Sequence, residues 1–270
     1  MITKPDLIIE SVQNDRIKSV VRLRESKERR ETKRFLIEGV RELSRAMESG
    51  FSIIEIYFLP GLLKDEGQEL LRKGKSAKAK IIEVNQRVYD KIAMREGTEG
   101  FVAVAAEKVE RDVSSTSKKI TPLVLVCDGL EKPGNLGAIL RSADGAGITE
   151  VAITGNRCDL FNPQVIRASQ GAVFSLRATA WSNEDLKQEL VKRNCAIYSA
   201  DPAATKSYDQ VDMKSATAIV IGTEAAGLSD FWKDAATEHI KIPMLGINDS
   251  LNASVSAAIL MYEAQRQRRN

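Results

Sequence analysis

Three stretches of this chain place polar side chains and glycines directly after apolar runs, where an α/β protein builds its ligand sites. The first is DGLEKPGNLGAILRSADGAG, residues 128–147. A Pro-Gly turn follows an apolar run, and Asn135 stands where a helix N-cap belongs. Gly134 and Gly137 permit close backbone approach near the positive end of that helix. The spacing suits a nucleotide-binding turn but is not the dinucleotide fingerprint G-x-G-x-x-G. Arg141 lies on the same helix and in isolation reads as a surface charge. The second stretch is AIVIGTEAAGLSD, residues 218–230. Here a buried strand runs into Gly222, Thr223 and Glu224, with Gly227 beyond. The Glu224 carboxylate either meets a ligand at the strand end or caps the next helix. The third is IPMLGINDSLNASVSAAILMYE, residues 242–263. A strand ends at Pro243, and a polar loop through Asn248, Asp249 and Ser250 leads into a helix. Ser250, Asn252, Ser254 and Ser256 crowd small polar groups at its start, partly as ordinary caps. From Ala257 to Met261 that helix is apolar almost all round, which requires deep burial or cover by a partner subunit.

The elements that must position these residues fit within bounds set by composition. A chain of 270 residues, 43% hydrophobic and 29% charged, has room for two packed domains and too much apolar content for extended disorder. No apolar run is long enough to span a bilayer. The first residues include Asp6 and Glu10 and lack the apolar core of a secretory signal. Three widely spaced cysteines, Cys127, Cys158 and Cys195, make neither a zinc spacing nor a disulfide framework, so a reducing cytoplasm is expected. His239, the single histidine, leaves little from which to build a metal site or a histidine-based triad, and no metal is expected.

The net charge of +3 is small, but it is unevenly spread. Between Arg16 and Arg45 there are eleven Lys/Arg against five Asp/Glu. A second cluster runs through Arg72, Lys73, Lys75, Lys78 and Lys80, and Arg266, Arg268 and Arg269 lie at the C-terminal end. Such clusters either bind RNA phosphates through counterion release or form solvated helix faces.

The polar segment 109–121, closed by Pro122, reads as a linker between domains at 1–108 and 122–270. Before it, a helix is expected over 16–30, strands at 35–37, 53–59, 79–84 and 100–106, and helices over 39–49 and from the cap Asn85 to Met94. This is a small α/β/α sandwich. After it, strands are expected at 123–127, 150–154, 196–199, 218–221 and 240–242, with helices between them and a last helix from about Asn252. Near-continuous apolar strands alternating with helices imply a parallel sheet covered on both faces.

Taken together, the three stretches resemble the three motifs of the SpoU (TrmH) family of RNA 2′-O-ribose methyltransferases, in the SPOUT superfamily. The first matches as N-x-G-x-x-x-R at Asn135, Gly137 and Arg141. The second matches as G-T-E-x-x-G-L from Gly222 to Leu228, and the third as I-P-M…S-L-N-A-S-V-S-A from Ile242 to Ala257. FNPQVIRASQGAVFSL, residues 161–176, is similar to a segment the family carries between motifs. FLIEGVREL at 35–43 and the strand at 99–104 are similar to the family's substrate-binding domain, which is related to ribosomal proteins that bind kinked RNA.

The resemblance implies an α/β SPOUT domain threaded into a trefoil knot, preceded by a small RNA-binding α/β/α domain. It implies S-adenosyl-L-methionine as cofactor, held near Gly222, Thr223, Ile242 and Leu251, and a homodimer whose sites draw on both subunits. It assigns the catalytic set to Asn135, Arg141, Glu224, Ser250 and Asn252. Arginine stays protonated in proteins, so Arg141 is expected to orient the 2′-hydroxyl and a phosphate rather than act as a base. The extra N-terminal domain favours ribosomal RNA as substrate. Transfer RNA is the alternative, and a non-catalytic RNA-binding protein of the same fold is the competing class.

Overall fold

The computed structural model describes residues 3–94, 99–107, 121–155, 158–224 and 226–269. The linker expected over 109–121 lies outside the described residues except for Thr121. In chain order the first elements are β1 (Leu7–Ile9), α1 (Asp15–Arg22), α2 (Ser26–Thr32), β2 (Arg34–Ile37), α3 (Val40–Glu48), β3 (Ile53–Phe58), α4 (Asp65–Ser76), β4 (Lys80–Val84), α5 (Gln86–Ile92) and β5 (Phe101–Ala106). Then come β6 (Leu123–Asp128), α6 (Pro133–Gly145), β7 (Glu150–Thr154), α7 (Pro163–Ala168), α8 (Ala172–Ser175), β8 (Ala178–Ala180), α9 (Asn183–Lys192) and β9 (Ala196–Ala200). The chain continues through β10 (Lys206–Ser207), β11 (Thr217–Ile221), α10 (Asp230–Ala235), β12 (Glu238–Lys241) and α11 (Ala253–Arg269). These elements form two compact units. One gathers β1 to β5 and α1 to α5 with the segment Phe161–Ser175, and the other holds the rest.

The first unit is built on a five-stranded sheet in the order β1-β4-β3-β5-β2. β1, β4 and β3 run parallel, and β5 is antiparallel to both β3 and β2. Side chains alternate across a strand, so Leu36 and Phe35 face opposite sides. On the Leu36 side, Ile17, Val20 and Leu23 of the α1 region and Val88, Tyr89 and Ile92 of α5 close over Tyr57, Ile82, Val84, Val102 and Val104. The single helix expected over 16–30 is in fact two. Leu23 turns into the core, and the buried Arg29 donates to the carbonyls of Leu23 (2.8 Å) and Arg24 (2.7 Å), which satisfies the broken end of α1.

On the other side Phe35 and Phe51 meet Phe161 and Phe174, which lie more than a hundred residues later in the chain. Phe35 stacks on Phe161 with ring centroids 4.4 Å apart, and Phe51 meets Phe174 edge-on at 5.0 Å. Arg45 donates to the Gln170 carbonyl at 3.1 Å. Gly171, at φ +81°, lies so close to Glu42 and Arg45 that an added Cβ would stand 3.2 Å from the Glu42 Cα. Read from sequence as part of the second domain, Phe161–Ser175 belongs to the first unit.

The second unit is a seven-stranded, all-parallel sheet in the order β10-β12-β9-β11-β6-β7-β8. β7 falls where expected, whereas the short edge strands β8 and β10 are additional. Trp232, Leu186 and Leu190 pack on one face against Val124, Val126 and Val220. α11 buries Ala253, Ala257, Leu260, Met261 and Ala264 and runs alongside α6 and β11. Among the described residues no helix is long and apolar enough to cross a membrane. A buried carboxylate, Glu150, is held by Arg193 (2.8 Å), Arg177 (3.5 Å) and the Trp181 indole N–H (3.2 Å), so its charge is structural.

Phe174→Ala should destabilise the first unit by about 3 kcal/mol, as expected for emptying a buried aromatic site. Hydrogen exchange should then show faster opening at Phe35, Leu43 and Phe51 together. Loss of protection confined to β6, β7 and β11 would place the segment in the other unit.

Candidate functional site

In the second unit the sheet reverses its winding between β6 and β11, which lie side by side. From β6 the chain moves towards β7 and β8, and from β11 it moves past β9 to β12. The loops at the carboxyl ends of these two strands therefore part and leave a crevice, the usual ligand position in a parallel sheet. One wall is the segment from Asp128 to Asn135, and the other is Thr223 to Ser229. This crevice has a volume of about 490 Å³ and is also lined by Asn183 and Gly155.

Asn135 is not the N-cap of α6. Pro133 takes the first helical position, with its fixed φ and missing N–H, and moves the cap back to Lys132. Asn135 is thus inside the first turn with its amide free, and its Nδ2 donates to Glu224 Oε1 at 2.9 Å. Asn252, just before α11, donates from Nδ2 to the same Glu224 oxygen, and Lys132 Nζ pairs with the other. The Asn252 carbonyl in turn accepts from the Ser254 backbone N–H (2.9 Å) and hydroxyl (2.6 Å). Glu224 does not cap α10, the next helix, which begins only after Ser229. The Lys132 ammonium, followed by the Asn135 amide, holds the Glu224 carboxyl below the usual carboxylate range, and the Ala253 backbone N–H at the start of α11 is among the donors that lower it.

A second cavity, of about 240 Å³, lies at the carboxyl ends of β9, β11 and β12. Its walls include Gly222, Thr223, Glu224, Ile242, Ser250 and Leu251. Thr223 and Gly227 pair by reciprocal backbone hydrogen bonds of 2.9 and 3.0 Å, which fold the loop after β11 back on itself. Gly222 is needed there because a Cβ would stand 2.2 Å from the Gly227 carbonyl oxygen. Thr223, Glu224 and Gly227 line both cavities.

Of the nine residues singled out from the sequence, the fold brings eight together around these two cavities. Arg141 is the exception. It is exposed on α6, lines neither cavity, and among the described residues its side chain has no hydrogen bond or ion pair. Six residues at about 100° each turn it well away from Asn135 on the same helix. Sequence reading missed Lys132, whose only signal was a cation beside the Pro-Gly turn. His239 bonds through Nδ1 to the Ser199 hydroxyl at 2.6 Å, across neighbouring strands.

The basic stretch from Arg16 to Arg45 is largely engaged within the first unit. Arg16, Lys18, Arg22, Lys27 and Lys33 pair with carboxylates, while Arg24, Arg29 and Arg45 donate to carbonyls. Arg30, Arg34 and Arg41 are exposed and have no such partner among the described residues.

Comparison with known proteins gives these features a common setting. Residues 122–262 match the model of the SpoU rRNA Methylase family. The chain belongs to that family. Residues 14–103 match an MRM3-like substrate binding domain. The chain is 28% identical over 254 residues to the 23S rRNA (guanosine(2553)-2′-O)-methyltransferase RlmP of Bacillus subtilis, covering 94% of this chain and 97% of that one. A crystal structure of an RNA 2′-O ribose methyltransferase superposes with a TM-score of 0.84 at 41% identity, covering 97% of this chain and all of the other. The SpoU methyltransferase AviRb of Streptomyces viridochromogenes, solved with the cofactor AdoMet, gives a TM-score of 0.86 at 27% identity over 96% of this chain and 99% of its own.

In Gly222→Ala the added methyl must push the Gly227 carbonyl aside. Amide exchange at Thr223 and Gly227 should accelerate while Ile219 and Val220 in β11 stay protected. Unchanged exchange at Thr223 would show that the loop accepts a side chain there.

Proposed function

We propose that this SpoU family member transfers a methyl group from S-adenosyl-L-methionine to a ribose 2′-hydroxyl of ribosomal RNA in the cytoplasm. The observation that carries this reading is the pair of cavities sharing Thr223, Glu224 and Gly227, one suited to the cofactor and the other to a nucleotide. The smaller cavity fits the cofactor chemically. Ile240, Ile242, Met244 and Leu251 offer apolar walls for an adenine, and the glycine-containing loop after β11 exposes backbone groups to its edge. Asp201, Glu224 and Asp249 place carboxylates there that suit a cationic ligand. The cofactor supplies an electrophilic methyl on a sulfonium.

The chain's own task is to hold the 2′-oxygen in line and ease the loss of its proton. Glu224 fixes the Asn135 amide, whose carbonyl accepts from the ribose hydroxyl. A carboxylate held below its usual range is a poor proton acceptor, so Glu224 orients and does not serve as the base. Arg141 stays protonated, binds the flanking phosphate and stabilises charge developing on the 2′-oxygen. Ser250 and Asn252 shape the pocket between them. The trefoil threading of the family belongs to the same reading, with the loops after β11 and β12 enclosing the cofactor.

Arg141 performs this role from a second copy of the chain. Its place on α6 away from the crevice supports a homodimer, as does the exposed apolar surface nearby on the same unit. Val255 and Tyr262, seven residues apart on α11, are 46% and 49% exposed, and Leu245 and Ile247 in the loop before it are fully exposed. The substrate reading draws on the B. subtilis relative, whose name specifies 23S rRNA, and on the match to a substrate binding domain. Among the described residues of the first unit, Arg30, Arg34 and Arg41 are exposed cations of the basic stretch that can meet RNA phosphates.

Incubation with labelled S-adenosyl-L-methionine and RNA from cells lacking the gene should put label into ribosomal RNA at one ribose. Label appearing in transfer RNA alone would overturn the substrate assignment. Arg141→Ala should abolish transfer yet keep cofactor affinity in calorimetry. An equal mixture of Arg141→Ala and Asn135→Ala chains should recover about a quarter of wild-type activity, because half the dimers are mixed and carry one intact site. No recovery after subunit exchange would mean that each site is built from one chain.

A further inference from the structure

We infer that Lys132 is a positioning residue for methyl transfer: its ammonium anchors Glu224 and, through it, the amides of Asn135 and Asn252. The inference rests on the proposed function of the same site. Lys132 caps the start of α6 at the mouth of the larger crevice and reaches Glu224 across 92 residues of sequence. Its side chain is 70% exposed, so burial does not hold it there. Ion pairs this exposed contribute little stability. The consequence of the pair is one of geometry and protonation.

An ionised carboxylate is an acceptor only, so both amides must turn their NH₂ groups towards Glu224. That turns the Asn135 Oδ1 into the crevice, where its remaining partner is the weakly placed Asn252 Nδ2 at 3.3 Å. A protonated Glu224 donates as well as accepts, and either amide is then free to rotate by half a turn. Keeping Glu224 ionised is therefore equivalent to keeping the nucleophile's acceptor in place.

The charged neighbours make that state depend on Lys132. Around Glu224 stand Asp128, Glu131 and Lys132 from the segment between β6 and α6, and Lys241 and Asp249 from the segment between β12 and α11. Asp128 is engaged by the Thr154 hydroxyl (3.1 Å) and the Ser229 backbone N–H (2.8 Å). Lys132 is the cation bonded to Glu224, and it is the largest influence lowering that carboxyl's pKa. Without it the Asn135 amide and the Ala253 backbone N–H still lower the carboxyl's pKa, but the charged partner is gone and the titration moves up. The sign follows directly. A site that needs ionised Glu224 is active above its pKa and fails as pH falls through it, so removing the cation moves the acid limb to higher pH.

Lys132→Met and Lys132→Arg test this on the full chain. The Glu224 carboxyl is followed by carbon-13 NMR titration, and methyl transfer to ribosomal RNA from cells lacking the gene is followed across the acid limb. In Lys132→Met the carboxyl titration and the acid limb of kcat should rise together. At neutral pH kcat should fall about tenfold, as expected for a misplaced reacting group. S-adenosyl-L-methionine affinity should stay unchanged, which reports an intact fold, and Lys132→Arg should restore both titration and rate. An unmoved Glu224 titration overturns the inference, as does a loss confined to KM for RNA, which would make Lys132 a plain phosphate contact. A wild-type chain that labels no ribosomal RNA removes the substrate reading alone, because the carboxyl titration still decides the role of Lys132.

Discussion

Two amides and an ammonium converge on Glu224 from stretches far apart in sequence. Lys132 and Asn135 come from the start of α6, Asn252 from the start of α11, and Glu224 itself from the loop after β11. Each of these segments would otherwise be an exposed loop or helix end, with only its own hydrogen bonds to define it. An acceptor-only group facing these side-chain donors and the Ala253 backbone N–H has few satisfying arrangements, so the carboxylate sets the mutual geometry of its partners. The parallel sheet supplies the opening by reversing its winding at β6 and β11, and the carboxylate determines what faces it.

The second constraint is steric. Gly222 lets β11 run straight into a loop that returns on itself within five residues, with Thr223 and Gly227 paired. Thr223, Glu224 and Gly227 of that loop line both cavities. On the proposed reading, two reactants seated in those cavities meet around the same few atoms. Rigidity here comes from backbone hydrogen bonds and an absent Cβ, which cost no side-chain entropy when ligands arrive.

The elements that were legible from sequence are those whose residues state their own environment. β7, Glu150–Thr154, is β-branched and apolar, and it falls where the pattern puts it. Asn85 caps α5 as expected, accepting from the Val88 N–H at 3.0 Å. What failed to show was set by partners remote in sequence. β8 and β10 are short edge strands of three and two residues, too brief to leave a pattern. The break after α1 depends on a buried arginine reaching back to carbonyls. Asn135 looked like a cap because Asn usually is one, whereas Pro133 had already started the helix. At the site, eight of the nine residues lie around the two cavities, yet the Lys132 contact needed the fold to bring it to Glu224. The turned-away Arg141 was legible as a residue and not as a position.

The packing of Phe161 and Phe174 on Phe35 and Phe51 has a consequence for how the protein is made. The five-stranded sheet is complete in sequence at Ala106, but one of its faces stays open until Ser175 has been added. At typical synthesis rates of about 5–20 residues per second, the ribosome needs several seconds to cover that interval. During it the nascent first unit exposes two phenylalanines, a surface that chaperones recognise and neighbouring chains can stick to. The second unit cannot run ahead either, because its β7 and β8 flank the segment on loan. The two units thus mature together, and the shortest piece of chain that completes the first reaches well into the second.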